Sequence, residues 1–240
     1  FVRWRAFWMW SVLPADADCY EKEKGKCGNM TDKLQIKQYV VGMVGTNCYL
    51  AVNGQTKETL IIDPGDQGDD LIHVMKEENL RPVAVLLTHG HFDHAGAAAQ
   101  VAEAYHIPVY AHELERETLE DPAKNLSASM GGFPRKFSAD VYVKDEQELD
   151  LAGFHLRVLL TPGHTPGGCC YYIPMEDVVF SGDSLFCGSI GRTDFPGGSM
   201  SQLVRSVQKK LMGLPDQTLV LPGHDARTTI DQERMYNPYL

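Results

Sequence analysis

Thr88-His89-Gly90-His91-Phe92-Asp93-His94 is the stretch on which the reading of this chain turns. Three imidazoles and one carboxylate fall within positions 89 to 94. Val83-Ala84-Val85-Leu86-Leu87 runs directly before them, an apolar β-type run that predicts a buried strand. The Ala-rich stretch from Ala95 to Tyr105 follows and predicts a helix. The cluster therefore falls in a loop at the carboxyl end of a strand, where open α/β sheets build their sites. Imidazole nitrogen and carboxylate oxygen are ligands that Zn²⁺ and Fe²⁺ accept. His89 and His91, alternating along the chain, can point the same way and share one metal ion. Asp93 and His94 can turn toward a neighbouring ion as the chain enters the helix.

Three further segments repeat the device of an apolar run, a tight turn and one metal-type residue. They are Thr161-Pro162-Gly163-His164-Thr165-Pro166-Gly167, Phe180-Ser181-Gly182-Asp183-Ser184 and Leu221-Pro222-Gly223-His224. Taken singly, His164 and His224 are turn histidines and Asp183 is a helix cap. Taken with the first cluster they supply five histidines and two aspartates, all at strand ends. That inventory suits two metal ions sharing one carboxylate.

Working outward, strand-like runs fall at 34–41, 48–52 and 59–62, the last ending in Asp63-Pro64-Gly65. Residues 69–78 place Leu71, Ile72 and Met75 on one side of an amphipathic helix. A strand follows at Val109, and 113–137 is an irregular segment that could fold as a flap over the site. Strands at 154–160, 169–173, 178–180 and 218–221 follow, with a helix over 200–211 and Ser199 as its cap. The chain reads as an α/β protein, with residues 30–240 forming one domain of mixed sheets and flanking helices. Residues 1–29 hold all three tryptophans and read as an extension, either an added leader or a signal-like segment.

The 240 residues carry a net charge of −10 and no long basic run, which argues against nucleic acid as a partner. No run of ~18 apolar residues exists to span a membrane. Six cysteines, without a C-x-x-C pair, read as reduced thiols and set the expected location as cytoplasmic. Cys169 and Cys170, adjacent in a strand, should face opposite ways. Cys187 is either a packed thiol or a neighbour of Asp183. His73, His106, His112 and His155 read as packing or surface residues, and Tyr142 and Tyr171 as strand packing. Asp63 either turns the chain or orients a metal-bound histidine from behind.

His89-x-His91-x-Asp93-His94, followed by His164, Asp183 and His224, resembles the ligand set of the metallo-β-lactamase superfamily over residues ~34–240. The resemblance implies an αββα sandwich of two mixed β-sheets flanked by helices, with the site at one edge. It implies two divalent metal ions, Zn²⁺ first, with Fe or Mn as the other candidates. His89, His91 and His164 would hold one ion, and Asp93, His94 and His224 the other. Asp183 would bridge them, which makes Asp93 and Asp183 the candidate catalytic carboxylates.

Residues 182–186, 188–194 and 228–230, with the ending Asn237-Pro238, are similar to the short glyoxalase-II-like hydrolases. That similarity implies hydrolysis of a small-molecule thioester of the S-2-hydroxyacylglutathione type. Arg192 falls where glyoxalase II places a basic residue against the glutathione carboxylate; a salt bridge to Asp194 is its structural alternative. Longer glyoxalase II enzymes complete the glutathione site with a carboxyl-terminal helical extension, whereas this sequence ends at Leu240, which leaves the thiol carrier open. A persulfide dioxygenase with one Fe²⁺ on His89, His164 and Asp183 is the main alternative. A lactonase also remains, whereas Asp183 argues against the β-lactamase classes with cysteine or histidine at its place. A non-catalytic binding protein on this fold would have no need of the full ligand set.

Overall fold

The computed structural model describes residues 33–240; the expectations for 1–29, with Cys19 and Cys27, lie outside the described residues. The first sheet contains β1 (Leu34–Val41), β2 (Thr46–Asn53), β3 (Glu58–Ile62), β4 (Arg81–Leu86), β5 (Val109–His112) and β6 (Val141–Val143), hydrogen-bonded in that order. β1 to β3 pair antiparallel, and β3 to β6 pair parallel. The parallel half needs crossovers. The first two carry α1 (Gly68–Glu77), then α2 (Phe92–Ala95) with α3 (Ala98–Tyr105). The third carries a 3₁₀ turn (Glu113–Glu115) and α4 (Arg116–Glu120).

The second half builds β7 (Glu148–Leu151), β8 (Phe154–Leu160), β9 (Cys169–Ile173) and β10 (Val178–Gly182). A short ribbon of β11 (Leu185–Phe186) and β12 (Ser189–Ile190) leads to α5 (Met200–Lys210). β13 (Leu219–Pro222), β14 (Thr228–Thr229) and α6 (Ile230–Tyr236) end the chain. The second sheet has the order β14-β13-β10-β9-β8-β7, with only β10 and β13 parallel.

Strand alternation sorts the apolar residues into three layers. Tyr49, Leu60, Ile62 and Leu86 of the first sheet meet Leu156, Val158, Tyr171 and Phe180 of the second between the sheets. Leu50, Val52, Ile61 and Val85 face outward onto Leu71 and Met75 of α1 and Val101 of α3. Cys170, Tyr172 and Val179 face outward onto Leu203 and Val207 of α5. This is the αββα sandwich, and Cys169 and Cys170 do point to opposite layers. Tyr171 packs between the sheets and donates to the Leu87 carbonyl at 2.9 Å; Tyr142 packs on the outer face of the first sheet.

Three local expectations change. The helix expected over 95–105 breaks at Gly96-Ala97, where Ala97 N–H leaves the helical ladder to donate to Pro64 O at 2.9 Å. Ser199 occupies the N-cap position of α5, but its side chain makes no capping bond. Segment 113–137, expected to be irregular, holds the 3₁₀ turn and α4 and packs against the metal-type loop. Phe92 N–H donates to Asn125 O, and the buried Asn125 and Ser127 side chains bond Arg135 O. Among the described residues no helix is long and apolar enough to cross a membrane.

Candidate metal centre

All four metal-type segments emerge at carboxyl ends of strands. β4 delivers His89 to His94, and β8, β10 and β13 deliver His164, Asp183 and His224. β8 and β10 are each antiparallel to β9, and β13 is parallel to β10, so these three strands run the same way. Their turns open on one edge of the second sheet. The first sheet is tied to that edge by Cys169 N–H, which donates to Thr88 O at 2.9 Å.

The seven residues converge as two clusters. His91 Nδ1 lies 3.1 Å from His89 Nε2 and 3.0 Å from His164 Nε2. His94 Nε2 lies 3.3 Å from His224 Nε2, and Asp93 Oδ2 lies 3.4 Å from the latter. Asp183 sits at the seam, with Oδ1 3.3 Å from His94 Nε2 and Oδ2 3.4 Å from His164 Nε2. Ligand-type atoms of His89, His91 and His164 form one compact group, and those of Asp93, His94 and His224 another; His89, His94 and Asp183 form an overlapping third.

Hydrogen bonding on the outside of the site determines what faces inward. His94 Nδ1 meets Asp63 Oδ2 at 3.0 Å, and His164 Nδ1 meets the Arg192 carbonyl at 2.6 Å. Thr88 Oγ1 donates to Asp63 Oδ2 at 2.6 Å, which leaves it to accept from His89 Nδ1 at 3.2 Å. Each of these imidazoles therefore spends its N–H outward and turns the Nε2 lone pair inward. Lone pairs facing one another near 3 Å repel unless a cation lies between them. Ligands ~2.0–2.1 Å from a tetrahedral Zn²⁺ would stand roughly 3.3 Å apart, close to the spacings here. Asp183 Oδ1 is buried without a hydrogen-bond donor, as a carboxylate oxygen reserved for a cation would be. The residues fit divalent metal ions.

In the first cluster the electrostatics agree with this. Burial lowers the pKa of His89 and His164 and takes His91 to about 3, so all three are neutral, the ligating form. Burial also opposes charge on His94, but Asp93, Asp183 and Asp63 outweigh it and raise its pKa well above the usual value. Burial pushes Asp93 and Asp183 up, and the surrounding imidazoles overcome that, holding Asp93 at about 2 and Asp183 well below the ordinary range.

Asp63 occupies the orienting position behind His94, and its second oxygen accepts Thr88 N–H at 2.8 Å. Arg192 makes the local salt bridge, Nε to Asp194 Oδ1 at 3.1 Å and Nη2 to Oδ2 at 2.8 Å. The pair is exposed, and the guanidinium stacks 4.5 Å from the centre of the Phe195 ring. Cys187 is an exposed thiol at the tip of the β11–β12 ribbon, not a packed one. His112 accepts from Leu114 N–H, His73 pairs with Glu77 and His155 with Asp150, all structural or surface roles. His106 caps α3 in the left-handed conformation.

Several residues around the site carry no local sequence signal. Phe195 stands 5.6 Å from the His91 ring, and Phe186 6.1 Å from the His224 ring. Thr46 Oγ1 donates to Asp93 Oδ2 at 3.1 Å. Asn47 clasps the His224 turn: its N–H donates to Gly223 O, and Nδ2 to Pro222 O and Asp225 O. Glu115, fully buried, accepts from Gly90 N–H and Gly167 N–H, each at 2.7 Å. Burial pushes its carboxyl up to about 7 against those bonds.

Comparison with known proteins follows the same lines. The model of the metallo-beta-lactamase superfamily matches residues 41–224. A probable metallo-hydrolase of Bacillus subtilis, YqgX, is 43% identical over 86% of this chain and 98% of its own. The hydroxyacylglutathione hydrolase GloC of Haemophilus influenzae is 38% identical over 81% of this chain and 92% of its own. Among solved structures, the BLEG-1 B3 metallo-beta-lactamase is 45% identical, with a TM-score of 0.82, covering 86% of this chain and 99% of that one.

Proposed function

Because the chain belongs to the metallo-beta-lactamase superfamily and is a metallo-hydrolase of that family, we propose that it hydrolyses a small-molecule thioester of the S-2-hydroxyacylglutathione type at a two-metal centre. The observation that carries this reading is Asp183, whose two carboxylate oxygens reach toward both His/Asp clusters. His89, His91 and His164 would hold one ion, and Asp93, His94 and His224 the other. Zn²⁺ is the first candidate, with Fe or Mn as alternatives. Ions bound there would supply Lewis acidity toward an acyl carbonyl and a water-derived nucleophile at neutral pH.

The chain's own residues do the rest. Asp63, Thr88 and the Arg192 carbonyl hold three imidazoles in the tautomer that ligates. Thr46 holds Asp93 toward His224. The Phe195 ring stands beside His91 and His164, and the Phe186 ring beside His224. A thioester suits such a centre because a thiolate, with a free pKa near ~8.5, leaves without a strong general acid. GloC, 38% identical, supports the acylated glutathione as substrate class.

The test is release of free thiol from lactoylglutathione, followed with a thiol reagent, alongside an oxygen electrode run with glutathione persulfide. Thiol release without O₂ uptake is expected. O₂ uptake with sulfite formation and no thioester cleavage would move the assignment to a dioxygenase. β-Lactam hydrolysis is the second reading, supported by the likeness to BLEG-1. Opening of a chromogenic cephalosporin without thiol release would replace the thioester assignment with it.

Arg192 separates binding from chemistry. Its pair with Asp194 is exposed, and exposed pairs contribute little, so the guanidinium can exchange Asp194 for a substrate carboxylate. Arg192→Ala should keep its metal and melting temperature but lose about ten- to a hundredfold in kcat/KM on an anionic thioester, the effect of one charge-assisted hydrogen bond. A neutral thioester should change by less than about threefold on the same grounds. Equal losses on both substrates would assign Arg192 to the structure of its loop instead.

A further inference from the structure

Glu115 lies outside both metal-type clusters, in the turn between β5 and α4, yet it is as buried as any residue of the core. Its Oε2 accepts from Gly90, which stands between His89 and His91. Its Oε1 accepts from Gly167, three positions after His164. One carboxyl group thus joins the two loops, one following each sheet, that bring together the three imidazoles of the first cluster. Both loops press directly on this residue, one on its carboxyl and one on its backbone. A methyl group at position 167 would lie 2.6 Å from Glu115 N, and one at position 90 would lie 3.0 Å from Glu115 Oε2. The second cluster is fastened by other bonds, those of Thr46 to Asp93 and of Asn47 to the His224 turn.

We infer that Glu115 is a positioning residue for one of the two ions: by bridging Gly90 and Gly167 it sets the spacing at which His89, His91 and His164 meet, and hence that cluster's affinity for its metal. The inference rests on the reading of these histidines as metal ligands. Its distinguishing feature is asymmetry. A residue needed only for folding would affect both clusters alike.

Glu115→Gln conserves volume but exchanges one acceptor oxygen for a donor, so one loop loses its partner. Two backgrounds isolate the clusters: His224→Ala leaves the first intact, and His91→Ala leaves the second. Zn²⁺ affinity is read by competition with a chromophoric chelator, and ligand geometry by the visible absorption of bound Co²⁺. In the His224→Ala background, Glu115→Gln should weaken Zn²⁺ binding by roughly 10–100-fold, as loss of an outer-shell partner does, and should alter the Co²⁺ absorption. In the His91→Ala background both should stay unchanged. Equal weakening in the two backgrounds, or none in the first, overturns the inference. A His224→Ala protein that binds no Zn²⁺ before Glu115 is touched would instead refute the metal reading itself. Should Glu115→Gln not fold, Gly167→Ala displaces the same contact and carries the comparison with the same expected and overturning results.

Discussion

Replacing Asp183 with alanine should strip the protein of most of its bound metal and nearly all of its turnover. Asp183 faces His94 and His164 at 3.3 and 3.4 Å, so in the proposed bridging role its loss would remove a ligand from both clusters at once. It also removes a negative charge from a pocket in which His94 draws its raised pKa partly from Asp183. His224→Ala should be milder, because His224 serves one cluster only. The expected ordering is therefore less metal in Asp183→Ala than in His224→Ala. Turnover in the former should fall by more than the roughly 10–100-fold that follows loss of an outer-shell partner. Elemental analysis of protein purified without chelators, with thioester turnover measured in parallel, checks both. Equal metal content in Asp183→Ala and the parent would remove Asp183 from its bridging place.

Gly65→Ala should be nearly as damaging, although residue 65 carries no functional group. A methyl group there would lie 1.4 Å from the Asp93 carbonyl oxygen and 2.4 Å from its carbonyl carbon. Both are backbone atoms of the turn that holds Asp93 and His94, so no side-chain rotation relieves the clash. The Pro64-Gly65 turn must separate from the metal loop. We expect a stability loss of about 3 kcal/mol, the upper end for overpacking. For a domain of this size that is roughly 6–12 °C in Tm. The displaced Asp93 and His94 should also lose their ion. Gly213→Ala, with nothing within 4 Å of the added methyl, is the control and should change stability by less than about 0.5 kcal/mol. Thermal melts of the metal-free proteins compare the two. Equal melting temperatures would mean that the turn yields without strain.

The two variants differ in how far sequence alone anticipates them. Asp183 is legible because it follows an apolar run and a glycine, as His164 and His224 follow Pro-Gly turns. Each is a local pattern of strand, stop and ligand-type side chain. Hydrophobic period likewise predicts β1, α1 and the α5 helix within a few residues, because burial of one face is a local property of each element. β6, only three residues long, and β14, only two, are too short to show a period.

What only the tertiary structure decided lies in pairs of residues far apart in the chain. Whether Asp63 merely turns the chain or orients His94 depends on a contact 31 positions away. The break between α2 and α3 follows from the Pro64 carbonyl taking an N–H that the helix would otherwise use. Glu115 is one residue of the irregular segment 113–137 until Gly167, 52 positions later, is placed against it. Asn47, just outside the run read at 48–52, gains its role only when it meets Asp225, 178 positions away. The ligand types are set by chemistry written at single positions. Their spacing, tautomers and support are set by long-range packing, where an interior without room for unpaired polar groups allows each carboxylate and amide few partners.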